Sequence, residues 1–219
     1  LVYANNQAKA LLDADYTIDK GDAAASTIAL LATNKSVVTV DSGKALTTNT
    51  QVALAAVNGT TTAGSGSTAE NKGTIVSNRT NNGIGIYAKE AGSKAINDGT
   101  ITMMGKAAAG MYGEDITTFE NKAGKSIEVK EETSVGMYAK VTGNNTLTVK
   151  NDGKIITNKL KSVGLYLNNA TTLPAGSTNP AAAKLTASNN EIEIKGGTES
   201  IGIYAPASTV SKVGKVTMA

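Results

Sequence analysis

The chain has no cysteine and no histidine. Without cysteine there is no disulfide, no thiolate nucleophile and no cysteine-ligated zinc. Without histidine a Ser-His-Asp triad cannot be assembled, and the HExxH zinc site is excluded. A cysteine-free chain suits a protein exported through an envelope, where stray cross-links would trap it. Tryptophan is absent, phenylalanine occurs once, and aromatics make up 4% of the 219 residues. Any core must therefore be built from Ile, Val, Leu, Met and Ala. No apolar run approaches the ~18–20 residues that a membrane-spanning helix needs. The longest, Ile28–Ala32 and Val52–Val57, are strand-sized. The chain begins at Leu1 without a basic and apolar leader pattern, so it reads as an excised piece or a processed product. No sign of charge dominates: 21 basic and 18 acidic residues are interleaved, as in Glu128-Val129-Lys130-Glu131-Glu132. A basic stripe of the kind that holds nucleic acid is missing, and no nucleic-acid partner is expected.

What is present is a repeat. Residues 83–88 read GIGIYA, which matches the G-x-G-x-x-A form of a dinucleotide-binding turn. A cofactor turn occurs once, before a helix, whereas this stretch recurs with no helix after it. Ala109-Gly110-Met111-Tyr112, Val135-Gly136-Met137-Tyr138, Val163-Gly164-Leu165-Tyr166 and Ile201-Gly202-Ile203-Tyr204 are its further copies. The Tyr-to-Tyr spacings are 25, 26, 28 and 38. A second motif travels with the first: Asn71-Lys72-Gly73-Thr74-Ile75, Asn97-Asp98-Gly99-Thr100-Ile101 and Asn151-Asp152-Gly153-Lys154-Ile155. Asn121 opens a version two residues longer, and Asn189-Asn190-Glu191-Ile192 is a version without glycine. The Asn stands 15 to 17 residues before the Tyr in all five. Weaker copies place Tyr3, Leu31 and Ala55 at the earlier Tyr positions. No cofactor and no metal is expected.

Each repeat holds short alternating runs between turn signals, such as Ile192-Glu193-Ile194 and Leu147-Thr148-Val149, the mark of half-buried strands. Residues 7 to 15 are the one stretch that admits a short helix. Strand-and-turn repeats of 24 to 32 residues predict an all-β solenoid of about eight coils with short side loops, their equivalent strands parallel and about 4.8 Å apart. One domain spans 1–219: irregular coils over 1–70, regular coils over 71–205, and a loop insertion at 168–184. In-and-out alternation puts Ile84, Ile86 and Ala88 on the core face and Gly85 with Tyr87 outside. Tyr87, Tyr112, Tyr138, Tyr166 and Tyr204 then form an outward ladder, each ring shielding the backbone at the glycine two residues before it. The Asn positions read as left-handed turn residues whose side chains hydrogen-bond from coil to coil.

Two segments break the period, Gly59–Ser67 and 168–184. Insertions leave a solenoid at its sides and often carry specificity. The candidate partner-binding residues are therefore the five tyrosines together with Pro174 and Asn179 of the second insertion. Asp41-Ser42-Gly43 echoes a serine-protease motif with Val40 where that motif has glycine, and Lys20-Gly21-Asp22 echoes an integrin-type tripeptide. Both matches are too short to carry a function.

N-x-G-x-I followed about 15 residues later by S-x-G-[IML]-Y-A resembles the passenger domains of large autotransporter adhesins, the fusobacterial ones above all. The matches run from 71 to 205. The resemblance implies a right-handed parallel β-helix, export to the bacterial surface and anchoring through a C-terminal barrel that this chain does not include. It also implies non-enzymatic adhesion to a host-cell receptor or glycan, or to another bacterium. The fragment is then a monomeric rod that does not itself insert into the membrane. The competing reading is a polysaccharide-cleaving lyase or glycoside hydrolase on a β-helix, which needs clustered carboxylates. Asp98 and Asp152 recur as repeat positions in turns, and no carboxylate pair stands out from the repeat.

Overall fold

The computed structural model describes residues 1–20, 27–58, 66–142, 146–170, 185–196 and 198–219. Among them there is no helix, and hence none long and apolar enough to cross a membrane. Twenty-two strands, numbered in chain order, stack as a parallel β-solenoid. The first face holds β1 (Val2–Ala4), β4 (Ile28–Thr33), β7 (Val52–Val57), β10 (Ile84–Lys89), β13 (Ala109–Glu114), β16 (Val135–Val141), β18 (Val163–Asn169) and β20 (Ile201–Tyr204). These eight strands span about seven turns.

The second face is β2 (Lys9–Leu12), β5 (Val37–Val40), β8 (Thr68–Asn71), β11 (Lys94–Asn97) and β14 (Thr118–Asn121). It continues into the first halves of β17 (Leu147–Thr157) and β19 (Leu185–Ile194), then β21 (Thr209–Lys212). The third face is β3 (Tyr16–Ile18), β6 (Ala45–Thr48), β9 (Thr74–Ser77), β12 (Thr100–Met103) and β15 (Ser126–Val129). The second halves of β17 and β19 and finally β22 (Lys215–Met218) complete it. All pairings are parallel. Tyr3, Leu31, Ala55 and Tyr87 share one row, so the weak early copies hold the register expected of them. Lys9–Leu12 is a strand, not part of a helix, because its Ala10 and Leu12 continue the inward rows of β5.

Three rows of like on like carry much of the core. Leu30, Leu54, Ile86, Met111, Met137 and Leu165 form one, and Leu46, Ile75, Ile101, Ile127, Ile155 and Ile192 the second. Burial of each such side chain contributes on the order of 1.5–3 kcal/mol. The third row is narrower: Val38, Ala69, Ala95, Phe119, Val149 and Ala187. Phe119 is the exception, and the chain makes room for it with Gly113, where neighbouring coils have Ala88 and Ala139. A Cβ on Gly113 would lie 2.7 Å from Ile116 Cδ1 and 3.1 Å from Phe119 Cδ2.

The pentad glycine faces the core, not solvent. A Cβ on Gly110 would lie 2.2 Å from Ile127 Cγ2 and 2.7 Å from the carbonyl of Gly136. Gly85 meets Ile101 in the same way, Gly136 meets Ile155, and Gly164 meets Ile192. Alternation slips at this residue: Gly85 and Ile86 are both buried, and Ile84 turns outward with Tyr87. A simple period of two fails because the large Ile of the Asn-Gly-Ile motif that follows in the same turn occupies the space a side chain would need. This contact is why the two motifs travel together.

The Asn residues stand at the corner between the second and third faces with buried side chains. None has the left-handed backbone expected of it. Asn71 Nδ2 donates to Asn97 Oδ1 (2.9 Å), Asn97 to Asn121 (2.8 Å), Asn121 to Asn151 (2.7 Å) and Asn151 to Asn189 (2.6 Å). Asn189 closes the chain on the carbonyl of Val213 (2.6 Å). The version without glycine is absorbed by a bulge, since Asn151 and Lys154 pair with Asn189 and Glu191. Asp152 accordingly lies within β17 and not in a turn. The left-handed residues are elsewhere, including Asn82, Ala107, Thr133, Lys161 and Glu199 just before the first-face strands.

Two substitutions test this packing. Asn121→Ala leaves Asn151 Oδ1 without its donor in a buried site and is expected to cost about 2–4 kcal/mol in denaturant unfolding. Gly110→Ala is expected to cost about 3 kcal/mol or more, and less in an Ile127→Ala background, so that a double-mutant cycle shows favourable coupling.

Candidate functional site

The first face carries three outward rows. Ile84, Ala109, Val135, Val163 and Ile201 form an apolar row. Tyr87, Tyr112, Tyr138, Tyr166 and Tyr204 form the second. Lys89, Glu114, Lys140 and Asn168 form the third, two residues beyond the tyrosines. All five sequence-selected tyrosines are thus brought together, while Pro174 and Asn179 lie outside the described residues. The third row escaped sequence reasoning. Its signal was available: a charged residue stands two places after Tyr in the first three copies.

The in-register stack dictates ring geometry. Neighbouring ring centroids are 5.5 Å apart for Tyr87–Tyr112 and 4.9 Å for the next three pairs. Tyr112 and Tyr138 are inclined by 8°, nearly parallel, whereas Tyr166 and Tyr204 are tilted by 52°. Each such contact contributes about 0.5–1.5 kcal/mol beyond burial. The stacked rings cover each other's faces and present edges and hydroxyls. They do not shield the pentad glycines, which lie on the opposite side of the strand. The exposed chemistry is therefore hydrogen bonding and charge, not ring-face stacking.

The polar row is wired to the hydroxyls. Tyr112 donates to Glu114 Oε2 at 3.2 Å, and Asn168 Nδ2 donates to Tyr138 Oη at 2.7 Å. Glu114 lies 3.5 Å from Lys140 Nζ and 4.0 Å from Lys89 Nζ, so a carboxylate bridges two ammonium groups. Burial among the neighbouring rings raises the Tyr112 hydroxyl above the ordinary 10.0, and the Glu114 charge raises it further. Tyr87 is raised by burial first and then by Glu114 and Glu90, and Tyr166 by burial and then by its ring neighbours. At the base of this face a serine row explains the Ser that precedes the pentad. Ala108 N–H donates to Ser134 Oγ (3.1 Å), Ser134 N–H to Ser162 Oγ (3.4 Å), and Ser162 N–H to Ser200 Oγ (3.3 Å).

Of the two aspartates weighed for an enzymatic reading, Asp152 lies within β17 and Asp98 is held in a surface ion pair. Asp98 sits 2.9 Å from Lys122 Nζ and 3.3 Å from Lys125 Nζ, and the Lys122 hydrogen bond is the main reason its carboxyl is held below the ordinary range. Glu132 pairs with Lys106 at 2.6 Å. Asp41-Ser42-Gly43 is a turn in which Ser42 N–H donates to Asp41 Oδ1 (2.8 Å) and Gly43 takes a φ of 71°. In the Lys20-Gly21-Asp22 tripeptide, Gly21 and Asp22 lie outside the described residues.

No protein-family model, no curated protein and no solved structure matches this chain.

The raised tyrosines set a direction for pH dependence. A hydroxyl whose folded pKa exceeds its unfolded value favours the fold fully below pH 10 and loses that contribution as pH climbs from there. Stability is therefore expected to fall above pH 10. Glu114→Gln is expected to bring Tyr112 and Tyr87 closer to ordinary titration, read from tyrosinate absorbance. An unchanged titration curve would show that Glu114 does not contribute to either shift.

Proposed function

We propose that this chain is a non-enzymatic adhesin segment, displayed at a bacterial surface, whose first face binds an extended, repetitive, polar partner such as a glycan chain of a host cell or another bacterium. The observation that carries this reading is the hydroxyl and charge pattern of the first face. Tyr112, Tyr138, Glu114 and Lys140 repeat hydrogen-bonding groups at the rise of one coil, about 4.8 Å. A partner with its own short repeat meets the same groups again at each step, so weak contacts add along the rod. The sequence resemblance to autotransporter passengers supports the surface location, and the apolar row beside the tyrosines supplies desolvated contact area.

The role of the hydroxyls can be separated from that of the stack. Tyr112→Phe and Tyr138→Phe keep the rings and remove the donors. The double variant is expected to keep its thermal midpoint within a few degrees and to lose about tenfold in binding to cells or immobilised glycans, the scale of one or two lost interface hydrogen bonds. Lys140→Ala is expected to weaken binding severalfold, mostly at low salt. Binding that survives both changes would place the contact elsewhere, and turnover of any polysaccharide would overturn the adhesin reading.

A further inference from the structure

With no cysteine and no tryptophan in the chain, tyrosine is the side chain that gives up a single electron most readily. The first face puts its tyrosines in contact. Tyr87, Tyr112, Tyr138 and Tyr166 follow one another at 5.5, 4.9 and 4.9 Å between centroids, with planes inclined by 27°, 8° and 20°. All four are half-buried, so solvent reaches their edges. A ring that has lost an electron carries a positive charge, and the faces of the neighbouring rings favour it as they favour any cation. Overlap of the faces lets the missing electron, the hole, move from ring to ring. The column stops inside the solenoid at Tyr87, because the next coil has Ala55 in that row.

A phenol that has lost an electron is a strong acid. It settles as a neutral radical only where a positioned group takes its proton. Among the described residues, the carboxylate that accepts from a ladder hydroxyl is Glu114, whose Oε2 lies 3.2 Å from Tyr112 Oη. Tyr138 Oη meets a donor instead, Asn168 Nδ2 at 2.7 Å. The negative charge of Glu114 also attracts a positive charge on the rings beside it. Tyr112 is covered on both faces, by Tyr87 and Tyr138, so a radical held there is screened from coupling with other radicals.

We propose that the tyrosine stack is a one-electron relay that disarms organic peroxyl and alkoxyl radicals at the first face, with Tyr112 and Glu114 as its end point. A ring of the stack gives one electron to the radical, which becomes a peroxide or alkoxide anion and takes a proton from water. The hole passes along the rings to Tyr112. There the O–H bond breaks and the proton moves from Oη to Glu114 Oε2, leaving a neutral tyrosyl radical and a protonated carboxyl. A small thiolate or enediolate then returns one electron and becomes the radical, while the proton moves back from Glu114 to Oη. The buried Met111 and Met137, each one residue before a ladder tyrosine, are thereby spared conversion to sulfoxide, which would put a polar oxygen into the core. The relay is independent of what the first face binds.

The test uses the absence of natural cysteine. Val163→Cys, in the apolar row and on the same strand as Tyr166, carries a ruthenium tris-bipyridine photo-oxidant. A flash with a sacrificial electron acceptor generates ruthenium(III) at that point. A nitroso spin trap followed by peptide mass spectrometry then locates the radical. Adducts are expected mostly at Tyr112, two rings away from the labelled coil. Tyr138→Phe keeps a ring in the stack but cannot pass the hole on, and is expected to remove most of the Tyr112 adduct and leave it at Tyr166. Glu114→Gln is expected to cut the Tyr112 adduct about tenfold or more and to spread adducts over Tyr138 and Tyr166. Circular dichroism of each variant verifies that it is folded. Adducts confined to Tyr166 in the labelled parent would overturn the inference. So would a Tyr112 adduct indifferent to Tyr138→Phe, the mark of direct oxidation by the label, or one indifferent to Glu114→Gln.

Discussion

The buried asparagine ladder is the interaction on which the rest of the structure depends. An amide inside a core must find both donors and acceptors, and leaving one unpaired costs about 1–3 kcal/mol. From Asn71 to Asn151 each Nδ2 donates to the Oδ1 of the next coil's asparagine, so that within the row the oxygen left without a partner is the first one, Asn71 Oδ1. A slip of one residue in any coil would orphan two amides and turn every inward side chain outward. The apolar rows alone are less discriminating, because Ile, Leu and Met tolerate exchange at small cost. The ladder therefore fixes register, and register fixes everything displayed outside. The tyrosine stack, the Lys-Glu-Lys row and the serine row are all consequences of like standing on like.

The glycine–isoleucine contact is the second constraint, and it works through volume. Ile101, Ile127, Ile155 and Ile192 of the third face project into space left by Gly85, Gly110, Gly136 and Gly164 of the first face. The interior is thus keyed across the faces of each turn as well as paired along the stack. Where a coil departs from the rule, another departure compensates, as Gly113 does for Phe119. Such paired exceptions are what a close-packed interior requires.

Much of the architecture was legible in the sequence because a solenoid writes each coil separately. The period, the row positions from Tyr3 to Tyr204 and the coil-to-coil asparagine bonding all follow from spacing. What was not legible depends on contacts between faces and between coils. Alternation assigned Gly85 to the outside because nothing local shows that Ile101, sixteen residues later, fills its place. The outward tyrosine ladder was legible and is stacked as expected, but its rings do not cover the pentad glycines, which lie on the other side of the strand. The helix considered for residues 7 to 15 failed because a nine-residue pattern cannot reveal that Lys9–Leu12 has the strand β5 waiting beside it. At the candidate site, the tyrosines were visible as a motif, but Lys89, Glu114 and Lys140 gain meaning only when stacking sets Glu114 between two ammonium groups.

The most direct measurement of this account is the hydrogen exchange of side-chain amides by NMR with asparagine selectively labelled. If the ladder fixes register, the NH₂ groups of Asn97, Asn121 and Asn151 exchange only with unfolding, as slowly as the backbone amides of β12 and β15. Exposed amides such as Asn6 exchange immediately. Rapid exchange at Asn97, Asn121 and Asn151 in a folded chain would contradict the account, because register would then be set without the ladder.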